Sequence, residues 1–259
     1  TPGHVDFSAE MERTLQVLDY AVLIVSGADG VQGHTETLWR LLKRYRIPVF
    51  LFVNKMDQKG TDRDAVLASL KERLDHGIVD FSGVIGNEDV LTFSASAEPF
   101  AAVCRDPEET AEEIATCDEE LLEAYLADGI LKTEDVRNAI QNRKLFPCFF
   151  GSALKLSGVR EFLTALGEFA SCPDYTKDFG AKVFKISRDE TGVRMTHLKI
   201  TGGNLKIRDS LSLDSDEKIN QIRLYSGSKF EALKEAEPGM VVAVTGISDT
   251  KPGQVFGTA

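Results

Sequence analysis

The chain has 259 residues, of which 42% are hydrophobic, enough to bury one large core or two small ones. Thirty Lys and Arg stand against 41 Asp and Glu, so the formal net charge is −11. Twelve acidic residues and one lysine fall between Asp106 and Asp135, so this segment alone carries −11 and the rest of the chain is balanced. Such local acidity argues against a general nucleic-acid surface and is typical of a solvated face.

The four cysteines are scattered along the chain and form no C-x-x-C pair. No histidine cluster, signal peptide or apolar run of about 18 residues accompanies them. We therefore expect reduced thiols in a cytoplasmic protein that does not cross a membrane. The residues concerned are Cys104, Cys117, Cys148 and Cys172.

The chain opens with the loop-like segment Thr1-Pro-Gly-His4, and the apolar spacing of Phe7–Leu18 predicts a helix after it. Gly3 has no Cβ, so its backbone N–H can approach an anion closely. An imidazole at position 4 can orient a water molecule. A solvated turn histidine is the alternative interpretation of His4.

A βαβ unit follows. Ala21–Val25 is typical of a buried strand, Ser26–His34 of a polar loop, and Thr35–Arg46 of a crossover helix. The apolar run Val49–Val53 predicts a second buried parallel strand. A further helix is expected from about Asp62 to Leu74.

Three polar residues, Asn54, Lys55 and Asp57, come directly after the second strand. Parallel α/β sheets bind ligands at the carboxyl ends of their strands. A carboxylate at position 57 can accept two hydrogen bonds from the ring N–H and exocyclic amine of guanine, a pair of donors that adenine lacks. Such a site can discriminate between bases by roughly 10⁴-fold. A strand that merely ends in a polar turn is the alternative.

The middle of the chain is mostly helical in pattern. Leu91–Phe93 is a weak strand candidate, and the apolar residues from Ile114 to Leu126 predict an amphipathic helix laid on the surface of the acidic segment. Thr133 is the expected N-cap of another helix, with Glu134 and Asp135 in its first turn.

A third strand is predicted at Leu145–Phe150, and a helix at Val159–Phe169. Between them lies Gly151-Ser-Ala-Leu-Lys155. The small residues at 151–153 allow backbone N–H groups to reach a ligand atom such as a purine carbonyl. An ordinary strand-to-helix turn is the alternative.

The pattern changes after Gly180, where short alternating strands are punctuated by glycines. This spacing predicts a small antiparallel barrel. The predicted strands are Ala181–Ile186, Leu198–Ile200, Leu211–Leu213, Ile219–Leu224 and Met240–Val244.

Three motifs occur in the order and roughly the spacing of the third, fourth and fifth nucleotide motifs of translational GTPases: Thr1-Pro-Gly-His-Val-Asp-Phe7, Asn54-Lys-Met-Asp57 and Gly151-Ser-Ala153. Within that group the chain is most similar to elongation factor G and, more closely, to the tetracycline-resistance ribosomal protection proteins. The features behind the closer resemblance are Asp57-Gln-Lys-Gly60, the insert between Leu74 and Lys144, and Leu145-Phe-Pro147.

The resemblance implies an α/β P-loop GTPase-type domain over 1–178, with a mostly helical acidic insert at about 75–144. An antiparallel β-barrel like the second domain of these factors is implied over 179–259. GTP and Mg²⁺ are the implied cofactors, the ribosome is the implied partner, and GTP hydrolysis is the implied activity.

The resemblance also assigns roles to residues. His4 would orient the attacking water as the catalytic residue, Gly3 would donate to the γ-phosphate, and Asp57 would select guanine. Asn54 and Lys55 would shape the base pocket. The implied GTP-binding residues are Thr1, Pro2, Gly3, His4, Asn54, Lys55, Asp57, Ser152, Ala153 and Leu154.

Two departures from the family pattern are visible. No G-x-x-x-x-G-K-[ST] phosphate loop occurs, so we expect an inactive fragment of a longer protein, with the Mg²⁺ ligands upstream of Thr1. Losing the leading strands would leave an unpaired edge beside Ala21–Val25, so self-association is expected.

His34 stands where the family tends to have Gln. A catalytically inactive ribosome-binding or regulatory module remains the alternative, and tetracycline protection is not separable from a housekeeping role.

Overall fold

The computed structural model describes residues 8–86, 89–93, 106–211 and 216–257, with only the backbone for 8–10. The helices are α1 (Ser8–Leu15), α2 (Gly33–Arg44), α3 (Arg63–Arg73), α4 (Pro107–Ala115), α5 (Glu119–Asp128), α6 (Thr133–Gln141) and α7 (Val159–Phe169). The strands are β1 (Ala21–Ser26), β2 (Val49–Asn54), β3 (Ile78–Asp80), β4 (Val84–Gly86), β5 (Leu91–Phe93), β6 (Phe146–Phe150), β7 (Gly180–Arg188), β8 (Arg194–Gly202), β9 (Leu205–Lys206), β10 (Gln221–Ser226), β11 (Lys229–Leu233), β12 (Glu235–Ala236), β13 (Val241–Thr245) and β14 (Val255–Gly257).

The described residues form two compact units, one from 19–172 and the other from 8–18 together with 173–257. The first unit is built on a parallel sheet in the order β1-β2-β6-β3. The central strands β2 and β6 are buried almost throughout, which explains their continuous apolar sequences. In β1, by contrast, Val22 and Ile24 are exposed. The predicted βαβ unit and parallel sheet are confirmed.

Phenylalanine rings fill the core of this unit. Phe162 of α7 packs against Phe52 of β2 and Phe149 of β6, with ring centroids 5.3 and 5.4 Å apart. Phe169, at the end of α7, contacts Phe81 at 5.5 Å. Helix α7 is therefore fixed to the two central strands by the apolar stripe from which its limits were predicted.

The acidic segment forms two helices, α4 and α5, rather than one. Helix α4 ends at Ala115 with Thr116 as its C-cap, and Asp118 caps α5, because its carboxylate accepts a hydrogen bond from the Glu120 N–H. Ile114 and Leu121 are buried as the amphipathic pattern predicted, but Leu126 is 75% exposed and does not belong to the buried face.

The N-cap of α6 is Lys132, not Thr133, so that prediction was wrong. Lys132 has the extended backbone of a cap residue, whereas Thr133 lies inside the first turn. The Thr133 side chain is fully buried, with its methyl group packed close to Gly86. Thr133 therefore packs against Gly86 and does not cap the helix.

The second unit is an antiparallel sheet in the order β11-β10-β13-β8-β7-β14, with the short ribbon β9–β12 beside it. Four of the predicted strands match β7, β8, β10 and β13 with longer or shifted ends. In the fifth, Leu211 lies outside any strand, and 212–213 are outside the described residues. Strands β11 and β14 were not predicted. The predicted succession of an α/β domain with a parallel sheet and an antiparallel β domain matches these two sheets.

Helix α1 belongs to the second unit. The buried Lys199 side chain of β8 donates a hydrogen bond to the Val17 carbonyl, just after α1, at 3.2 Å. The sequence placed this helix with the first domain, and the predicted limits of 1–178 and 179–259 remain a proposal.

Candidate nucleotide-binding site

The candidate site lies where β2 and β6 end side by side. Because both strands run in the same direction, the loops that follow them leave the sheet at one edge. The Gly151 N–H donates to the Val53 carbonyl at 2.9 Å, and the Met56 N–H donates to the Gly151 carbonyl at 3.1 Å. These two bonds extend the strand pairing beyond the sheet and hold the two loops together.

Asn54 connects the loops with its side chain. Its Oδ1 accepts hydrogen bonds from the Lys55 N–H at 2.8 Å and from the Ala153 N–H at 2.9 Å. Its backbone carbonyl accepts a bond from the Gly27 N–H, after β1, at 2.7 Å. One residue therefore fixes the ends of three neighbouring strands, a task that needs both a side-chain acceptor and a backbone acceptor.

The loop after β2 turns sharply. Lys55 has a φ of 65°, in the left-handed region that non-glycine residues rarely adopt. The Gln58 N–H donates to the Lys55 carbonyl at 3.1 Å, and the Thr61 hydroxyl donates to the Met56 carbonyl at 2.9 Å. This closed turn fixes the backbone of Asp57 before any ligand arrives, as strained functional loops commonly do.

Asp57 is the acidic group of the site, and its side chain is 16% exposed. The fully buried Ser152 hydroxyl donates a hydrogen bond to its carboxylate, and the Lys155 ammonium lies 3.6 Å from Oδ2. The Ser152 bond, the backbone amide of Asp57 itself and Lys155 together hold the pKa of Asp57 below its ordinary value, although partial burial opposes them. Asp57 is therefore ionised at neutral pH and is an acceptor only.

Two glycines allow the loops to approach this closely. A Cβ on Gly151 would lie 2.3 Å from the Ser157 carbonyl oxygen, and one on Gly27 would lie 2.5 Å from the Met56 sulfur. The first collision involves backbone, which cannot move aside cheaply. Any side chain at 151 would therefore separate the Ser152–Ser157 turn from the end of β6.

The remaining surface of the site is exposed and partly apolar. Lys55 and Ala153 are exposed, and the Leu154 side chain is 89% exposed. An ionised carboxylate, a fixed amide and exposed apolar surface suit a flat base with two adjacent N–H donors, which describes guanine. These residues therefore fit the base half of GTP. No group of three or more His, Cys, Asp or Glu among the described residues is arranged to hold a metal ion.

The structure brings six of the sequence-predicted site residues to this one place. Their roles toward a ligand remain predictions, and the other four, from Thr1 to His4, lie outside the described residues. The six are Asn54, Lys55, Asp57, Ser152, Ala153 and Leu154.

Sequence reasoning missed two supporting contacts. Gly27 was seen only as part of a loop, and Thr61 was not singled out, although a small residue after β1 and a hydroxyl four residues after Asp57 were available signals. His34 lies in α2 with its Nε2 buried and unbonded within the described part of the chain. Nothing in the structure explains its replacement of Gln.

A parallel α/β sheet whose strand-end loops meet at one edge is the architecture of a nucleotide-binding domain. Residues 1–171 match the elongation factor Tu GTP binding domain family, and residues 178–259 match elongation factor G domain 2. The chain belongs to this translational GTPase family.

A solved crystal structure of a Thermus thermophilus protein is similar to the whole chain. Its sequence identity is 26% and its TM-score 0.78, with 100% of this chain covered. The match spans 43% of the Thermus protein, so this chain corresponds to less than half of that protein's length.

None of the helices in the described residues is long and apolar enough to span a bilayer.

Proposed function

We propose that this chain supplies the guanine-recognition half of a GTP-binding site, with Asp57 as the base-selecting residue. The observation that carries the proposal is the Asp57 carboxylate, oriented by the buried Ser152 hydroxyl across two loops that Asn54 joins. Ionised acceptors make the stronger hydrogen bonds, so the two guanine N–H groups are the donors best suited to it.

Exchange of the recognised base tests this proposal. In Asp57→Asn the side chain presents one acceptor and one donor instead of two acceptors, so we expect GMP binding to be lost and XMP binding to be gained. Amide NMR titration of the chain with GMP, XMP and AMP measures all three affinities. Glu134→Gln, a similar change of charge far along the sequence in α6, is the control. Unchanged GMP affinity in Asp57→Asn would refute the assignment.

We further propose that a longer protein carrying this chain is a cytoplasmic, ribosome-dependent GTPase that uses GTP and Mg²⁺. Family membership supports this proposal. Ribosomal protection against tetracycline is a finer proposal, supported by the sequence of the loop after Asp57 and of the approach to Gly151. GTP supplies the phosphoanhydride bond that is hydrolysed, while Asn54, Asp57 and Ser152 hold and orient its base.

His4 is proposed as the residue that orients the attacking water, on the strength of its motif. In a chimera that joins this chain to the phosphate-loop segment of a related GTPase, His4→Ala should lower ribosome-stimulated phosphate release by roughly 10²-fold or more and leave GTP affinity nearly intact. His76→Ala is the matched control, because His76 is an exposed histidine outside the site. An equal loss of GTP affinity in His4→Ala would assign that residue a structural role.

A binding or regulatory module without catalysis is the second candidate. These 259 residues contain no G-x-x-x-x-G-K-[ST] sequence, so the groups that hold the phosphates in such sites are not among them. Most of the affinity of such sites comes from groups around the phosphates. We expect the chain alone to bind GTP with a dissociation constant near or above about 1 mM, from a few hydrogen bonds of roughly 1 kcal/mol each, and not to hydrolyse it.

A further inference from the structure

Lys155 contacts the base-selecting carboxylate, although no motif assigns it a role there. Its ammonium lies 3.6 Å from Asp57 Oδ2, and its side chain is 56% exposed. The Ser152 hydroxyl approaches the same carboxylate from the buried side. Asp57 thus has one buried, fixed donor and one exposed, movable cation.

The turn that carries Lys155 is closed and cannot easily move away. Ser152 and Ser157 exchange backbone hydrogen bonds in both directions, at 3.0 and 3.1 Å, and the Lys155 N–H donates to the Ser152 carbonyl at 3.2 Å. Leu156 follows with a φ of 58°. Because the backbone is fixed, the ammonium can leave Asp57 only by rotation of the Lys155 side chain.

We propose that Lys155 is a specificity-determining residue that occupies the Asp57 carboxylate in the empty pocket and is displaced by the exocyclic amine of guanine. The inference rests on the proposed guanine recognition by Asp57. A base that offers two N–H donors needs both carboxylate oxygens, whereas a base that offers only the ring N–H can bind while Lys155 keeps Oδ2. Lys155 therefore weakens guanine binding selectively and narrows the preference for guanine over hypoxanthine.

The exposure of Lys155 limits the size of the effect. Exposed ion pairs are weak because both partners remain hydrated, so guanine can displace the ammonium at modest cost. When the pocket is empty, the Lys155 ammonium neutralises part of the negative charge of Asp57. The arrangement favours release of the nucleotide, since the ammonium returns as the base leaves.

Comparison of GMP with IMP tests this role. The two nucleotides carry the same phosphate and differ only in the exocyclic amine, so the ratio of their affinities cancels any general effect of charge. In Lys155→Met we expect GMP to bind roughly two- to fivefold more tightly, the range of an exposed ion pair, and IMP to bind as before. Lys155→Arg keeps a cation and should keep the wild-type ratio.

Lys59→Met is the matched control, because Lys59 is an exposed lysine in the adjacent loop and its loss changes the net charge equally. Its GMP-to-IMP ratio should equal that of the wild type. An unchanged or lower ratio of GMP to IMP affinity in Lys155→Met would overturn the inference while leaving base selection by Asp57 standing. If the wild-type chain binds GMP no more tightly than AMP at millimolar concentrations, base selection by Asp57 fails and this inference fails with it. Amide NMR spectra of each variant verify the fold.

Discussion

Asp57 shows how one ionisable side chain is prepared for its ligand by its neighbours. Sequence spacing indicated that a carboxylate would follow β2, and it implied a guanine acceptor. The spacing did not reveal that a buried hydroxyl from the loop after β6 orients the carboxylate. Contacts between side chains 95 residues apart depend on the register of β2 against β6, which a local pattern does not specify.

The lowered pKa of Asp57 predicts how base binding depends on pH. A depressed pKa means that the acceptor is present above it and is lost only as the pH falls through it. We therefore expect guanosine, which carries no phosphate to titrate, to keep its affinity as the pH falls from neutral and to lose it at a lower pH than an ordinary aspartate would allow. NMR titrations at a series of pH values measure this dependence.

Substitution of the two Asp57 partners separates their contributions. The Ser152 hydrogen bond is the largest single cause of the lowered pKa of Asp57, and the charge and the hydrogen bond of Lys155 are each smaller causes. Ser152→Ala should therefore move the loss of guanosine binding to higher pH by more than Lys155→Met does. If Lys155→Met moved the loss of binding to higher pH than Ser152→Ala does, the charge of Lys155, and not the Ser152 hydroxyl, would be the main cause of the lowered pKa of Asp57.

At the scale of elements, continuous apolar strands and regularly spaced helices were predictable. The limits of α7 matched the sequence interpretation, because its stripe packs on both central strands. Thr133 was wrongly predicted as the N-cap of α6, because threonine is common at N-caps but can also be buried inside a helix. Strand β11 was missed because all but one of its residues are exposed, so it lacks the alternation that marks a half-buried strand.

A buried ion pair joins α3 to the sheet and predicts a large stability effect. Arg63 donates to Asp80 through both Nε, at 2.9 Å, and a terminal guanidinium nitrogen, and the two side chains are 12% and 2% exposed. Its guanidinium also lies over the Phe150 ring at 4.6 Å. Asp80→Ala leaves a buried cation without its carboxylate, so the free energy of unfolding should fall by about 3 to 5 kcal/mol.

Urea unfolding measures this loss, and Glu134→Ala is the control. Glu134 is also a carboxylate paired with an arginine, Arg137, but its side chain is 66% exposed. Removing it should cost less than about 1 kcal/mol. Similar losses in the two variants would show that burial is not what makes the Arg63–Asp80 pair important.

At the scale of the whole molecule, β1 is an edge strand of the parallel sheet in the first unit, within the described residues. The GTPase-type domain was predicted from its sequence motifs, and the β domain was predicted from the short alternating strands after Gly180. Placement of α1 in the second unit was not predictable from periodicity, which identifies a buried face but not its partner. Periodicity likewise did not show that Val22 and Ile24 of β1, which are apolar, are exposed.

We propose that two copies of the chain associate through β1. Val22 is 41% and Ile24 64% exposed on a strand whose outer edge has no partner strand within the described residues. A second copy can pair with the backbone along this edge and also cover the apolar side chains on the adjacent face of β1. Ile24→Lys puts a charge on that surface, so sedimentation velocity should show a mass that falls toward the monomer.

Leu126→Lys, on the exposed face of α5, makes the same chemical change elsewhere and should leave the mass unchanged. A wild-type chain that stays monomeric at every concentration, or equal behaviour of the two variants, would contradict association through β1.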